Sequence, residues 1–176
     1  MEKLKIGGLK QSLELCQFDL RGPDLSEKMI GELSKLMSAQ KINIEFLTYA
    51  SNRDSSHQLS LCINQDTFSA ASNILKKHGS LPCGWHVSSR EHVGIITVFP
   101  HHSAINILGA VMVSWTESSI PIHGIATSLS SISFVTDYLL MERAAEVVQG
   151  LFTLPENRAP LKPEIRYIQS DIVKGK

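Results

Sequence analysis

Two short stretches carry residue types suited to holding a small charged molecule: "PDLSEK" from Pro23 and "HHSAIN" from His101. Each stands where an apolar pattern of helical spacing begins. The first turn of a helix has unpaired N–H groups and the positive end of the backbone dipole, a ready seat for a carboxylate. A neighbouring strand edge supplies carbonyls for an ammonium. Asp24, Ser26 and Met29 in the first stretch, and His102, Ser103, Asn106 and Ile107 in the second, are therefore the candidate ligand-binding residues. The plainer reading of Asp24, Ser26 and Ser103 is that they cap helices.

Other chemistry has less support. Adjacent residues on a strand point to opposite faces, so His101 and His102 do not converge on one metal ion, and no metal site is assigned. The remaining histidines are scattered, there is no Gly-x-Ser-x-Gly elbow, and Cys16, Cys62 and Cys83 form no C-x-x-C pair. No catalytic residue and no cofactor follow from the sequence.

The 176 residues are 43% hydrophobic and 19% charged, with 17 basic side chains against 17 acidic ones. That balance gives no basic surplus for nucleic acid. No segment approaches the roughly 20 apolar residues needed to cross a bilayer, and "MEKLKIGGLK" has no continuous apolar core of the signal-peptide kind. A cytoplasmic protein is expected.

The elements that would position the two helix starts occur twice. The first copy reads "LELCQFDLRG", "LSEKMIGELSKLMSAQ", "INIEFLTYA", "HQLSLCINQ", "DTFSAASNILKKHG"; the second reads "HVGIITVFPHH", "SAINILGAVMVSWTESS", "IPIHGIATS", "SSISFVTDY", "MERAAEVVQGLF". Each is strand, helix, strand, strand, helix. Cys16, Phe18 and Leu20 alternate with polar neighbours, as do Ile42, Ile44 and Phe46, which is strand periodicity; Ile30, Leu33 and Met37 have helical spacing. Such a unit packs as an antiparallel sheet with its helices on one face, a ferredoxin-like βαββαβ plan within the α+β class once a fourth strand is added. "GWHVSSRE" would complete the first copy. Either "KLKIGGLK" or the tail "PEIRYIQSDIV" would complete the second.

The order of elements, the phrase "LRGPD", the paired "INI" and "IPI" strands and "SISFVTD" resemble the paired ACT domains that form the regulatory half of aspartokinases, over residues 3 to 153. The resemblance implies two ACT domains, residues 12–91 and residues 1–11 plus 92–153, with the leading strand completing the second; residues 154–176 remain as a linker and a further strand. It implies an allosteric sensor of a free amino acid, without chemistry of its own and without a kinase domain, with Asn43, Tyr49 and Ile122 beside the two helix starts. A homodimer and an enzyme regulated in trans are the implied partners; the alternative is an interaction module with no ligand. The Asp-x-Pro-Gly turn usual in the family is absent from both copies. "SAINILGAVMVSW" is apolar nearly all round, with Ile105, Leu108, Met112 and Trp115 as one stripe, so both its sides are expected to be covered.

Overall fold

In a computed structural model the described residues are 3–23, 27–53, 55–77, 84–99 and 104–154. They form β1 (Gly8–Gln11), β2 (Leu15–Pro23), α1 (Glu27–Ala39), β3 (Ile44–Ser51), β4 (Ser56–Asn64), α2 (Phe68–Lys77), β5 (His86–Phe99), α3 (Ala104–Glu117), β6 (Gly124–Thr127), β7 (Ile132–Asp137) and α4 (Met141–Leu151). The fold is α+β, an antiparallel sheet with helices. The path β3-β4-β2-β5-β7-β6 is hydrogen-bonded throughout, and β1 pairs with β5 beside β2.

β5 is the axis of the arrangement. "GWHVSSRE" and "HVGIITVFPHH", two strands when read as sequence, run on as one fourteen-residue strand. Its first half pairs with β2 and its second half with β7 and β1. The strand order β5-β2-β4-β3 and the order β1-β5-β7-β6 are the same ferredoxin-like pattern. Leu15 pairs with Val93, its counterpart in the other copy, so the two units meet about an approximate two-fold axis. Between the halves the register slips by one residue, and His92 takes φ 58°, a left-handed conformation unusual for a residue with a Cβ. Glu14 holds the ring, with Oε1 2.5 Å from His92 Nδ1.

Alternation decides what each face covers. Cys16, Phe18, Leu20, Leu59, Leu61 and Ile63 turn toward Met37 of α1 and Ala71 and Leu75 of α2. Leu9, Ile96, Val98, Ile132 and Phe134 turn toward Ile107, Val111 and Trp115 of α3 and Ala144 and Val148 of α4. The opposite, helix-free faces share a third cluster, Leu15, Phe46, Cys62, Val93, Ile95 and Val135. That cluster is the seam between the units.

α3 departs from the expected stripe. Its buried side is Ile107, Val111 and Trp115, whereas Ile105 is 75% and Val113 58% exposed, with Met112 also exposed. Ile105 and Met112 thus lie off the stripe that buries Trp115, because the sheet is met by Ile107, Val111 and Trp115, which recur every four residues. α1 contrasts with it: Glu32, Ser34 and Lys35 are its outward side chains. At the end of α4, Thr153 forms a parallel bridge with Lys5.

Candidate functional site

Of the residues singled out from sequence, Asp24, Ser26, His102 and Ser103 lie outside the described residues. Met29 is half-buried and packs on the first core. Asn43 is exposed, and its amide donates to Glu45 Oε1 at 2.8 Å. Tyr49, also exposed, places its hydroxyl 2.8 Å from His57 Nδ1, with the two rings stacked at 5.9 Å between centroids. Asn106 is exposed one residue from the start of the exposed side of α3. Ile107 is buried in the second core and Ile122 packs against it, so both side chains belong to that core.

The end of β2, from which the chain enters α1, is braced by a tryptophan. A Cβ built on Gly22 would lie 2.6 Å from the Trp85 ring, and Trp85 Nε1 donates to the Pro23 carbonyl at 2.7 Å. Glycine is required at position 22 because the indole occupies the place of any side chain. Gly84, at φ 95°, makes the turn that brings Trp85 there.

Polar groups gather at the seam. Gln17 is only 2% exposed, and its Nε2 lies within reach of Ser60 Oγ (2.9 Å), Asp19 Oδ1 (3.1 Å) and the His123 carbonyl (3.3 Å). The last bond crosses from one unit to the other. Arg90 Nη1 contacts His123 Nδ1, while His123 Nε2 lies 2.7 Å from Asp137 Oδ1. With a guanidinium on one ring nitrogen and a carboxylate on the other, this imidazole has no free nitrogen to take a proton from a nucleophile; its geometry is that of a linker. Thr136 Oγ1 donates to the Pro121 carbonyl at 2.7 Å and fixes the approach to β6. Sequence reasoning missed Trp85, whose role arises from the pairing of β2 with β5, and Gln17, Arg90 and Asp137, whose roles arise where the two units meet.

The seam also encloses a thiol. Burial, then the Asp19 carboxylate, then Cys16 push the Cys62 thiol up to about 12; burial, followed by Glu91, does the same to Cys16. Both are neutral thiols, poor nucleophiles and poor metal ligands. Among the described residues no three His, Cys, Asp or Glu side chains stand together as a metal site.

No protein-family model matches the sequence, and no curated protein does. Solved structures do. The fold is that of the paired ACT domains in aspartokinase regulatory subunits. The regulatory subunit of aspartate kinase from Thermus thermophilus, in ligand-free form, is matched at 17% identity over 84% of this chain and 99% of that chain, with TM-score 0.71. The corresponding subunit from Thermus flavus gives 16% identity, 85% and 99% coverage and TM-score 0.72. The longer aspartate kinase of Clostridium acetobutylicum is matched over 87% of this chain but 36% of its own length, at 10% identity and TM-score 0.70. At these identities the likeness is one of fold.

Proposed function

We propose that this chain is a non-catalytic regulatory protein that binds a free amino acid and passes the event to an enzyme in trans, an aspartate kinase or another enzyme of amino-acid biosynthesis. One observation carries the reading: an isolated aspartate kinase regulatory subunit is matched over 99% of its length. That match in fold supports a regulatory role. The ligand's carboxylate sits at the first turn of α1 or α3, with Met29, Asn43 and Tyr49 beside the first and Asn106, Ile107 and Ile122 beside the second. The protein works in the cytoplasm as a homodimer, with the outer stripe of α3 as the subunit contact. A differential affinity of about 1–3 kcal/mol between two arrangements of the units is enough to act as the signal.

Isothermal titration against the twenty amino acids tests this. A saturable heat with one of them supports the reading. A second reading, a ligand-free interaction module, is favoured by the exposed apolar stripe on α3 and by the absence of a Pro-Gly turn at either helix start; it predicts no heat with any amino acid and retained self-association.

A further inference from the structure

Asn64 and Asp137 are equivalent residues that the two copies use differently. Asn64 ends β4 and Asp137 ends β7, and each stands at the N-cap of a short 3-10 turn leading into the unit's second helix. Their backbones agree closely, with φ −60° and ψ 136° for Asn64 and φ −65° and ψ 132° for Asp137. Asn64 caps: its Oδ1 accepts from the Asp66 amide at 3.0 Å. Asp137 makes no side-chain cap bond, although aspartate is among the best N-cap residues. Its carboxylate is turned instead to His123, which in turn touches Arg90 of the other unit.

We propose that Asp137 is a two-position switch. In one position it holds His123 against Arg90 and closes the seam; in the other it caps the turn at Tyr138–Leu140 and leaves His123 free. In the rotamer that holds His123 neither carboxylate oxygen makes a cap bond, so gain at the cap is loss at the seam. His123 directly precedes β6 and Asp137 directly precedes the turn into α4. The switch therefore links the closure of the two units to the start of one helix. This inference does not depend on a ligand.

Amide hydrogen exchange on the full chain separates the positions. In Asp137→Asn the side chain can cap as Asn64 does but has lost the charge that holds the imidazole. The Leu139 amide, counterpart of the Asp66 amide, is expected to exchange about fivefold more slowly, while the His123 amide and those of β6 exchange at least about fivefold faster. Arg90→Gln, at an exposed position, is expected to shift both in the same directions, because release of His123 frees Asp137. Asp137→Ala removes both positions and slows nothing. If Asp137→Asn or Arg90→Gln loosens the seam without slowing the Leu139 amide, or leaves both unchanged, Asp137 is a fixed strut and the switch is refuted. Should Asp137→Asn fail to fold, Arg90→Gln decides alone.

Discussion

The Phe46 ring lies against Gly124, its own counterpart in the second copy: a Cβ placed on that glycine would stand 3.3 Å from Phe46 Cζ. A large residue in one copy fills the space left by a missing side chain in the other, which is why the helix-free faces can close together. Gly124→Val has nowhere to put its methyl groups and is expected to cost about 1–3 kcal/mol. Adding Phe46→Leu should return part of that loss in a double-mutant cycle measured by urea unfolding. Strict additivity would show that the two residues do not meet.

Gly22 and Trp85 give a second, sharper test. Alanine at position 22 would press its Cβ onto the indole, whose nearest atoms are 2.6 to 2.7 Å away. The ring must move, breaking the Nε1 bond to Pro23. We expect a loss of about 1–3 kcal/mol and a red-shifted emission from Trp85, with Trp115 buried and unaffected. Trp85→Phe should relieve the clash in the Gly22→Ala background. An unchanged spectrum in Gly22→Ala would contradict the contact.

Thiol titration sets a pH dependence at the alkaline end. Cys16 and Cys62 are raised from 9.0 to about 12 in the folded chain. Above pH 9 the unfolded chain has released protons that the folded chain keeps, so the unfolded state binds fewer and stability falls as pH rises toward 12. Each thiol contributes a slope of about 1.4 kcal/mol per pH unit in that window. Urea unfolding of the wild type should therefore weaken more steeply from pH 9 to 11 than that of Cys16→Ala/Cys62→Ala. Equal slopes would mean that the thiols are not buried.

Much of this architecture was legible in the sequence, since period-two alternation at Cys16, Phe18 and Leu20 and the repeated order of elements are local signals. The continuity of β5 was not. The sequence divides it after "GWHVSSRE", yet β2 pairs with Arg90 on one side of the bulge and with Val93 on the other, where β7 also joins, so the strand runs on. The stripe on α3 was misplaced because a helix apolar all round has no polar face to mark the outside. His123 stood out only as one scattered histidine; its partners Arg90 and Asp137 are far away in the chain and meet it through folding. Of the candidate site, the helix starts were named from local capping patterns, whereas the brace at Trp85 required the register of β2 on β5.

The outer stripe of α3 yields a prediction on assembly. Ile105, Met112 and Val113 are exposed apolar residues on a helix that carries no exposed basic side chain. Val113→Glu should leave unfolding of the chain within about 0.5 kcal/mol, as for an exposed position, while halving the mass measured by light scattering. An unaltered dimer mass would place the subunit contact elsewhere, and a monomeric wild type would contradict the homodimer.

Thermal unfolding with each free amino acid at millimolar concentration bears most directly on the central claim, that this fold is an amino-acid sensor. A ligand at one hundred times its dissociation constant adds about 2.7 kcal/mol and raises the midpoint by several degrees. The account predicts such a rise with one amino acid or a chemically related few. A midpoint unmoved by all twenty, in a chain that unfolds cooperatively, would contradict it.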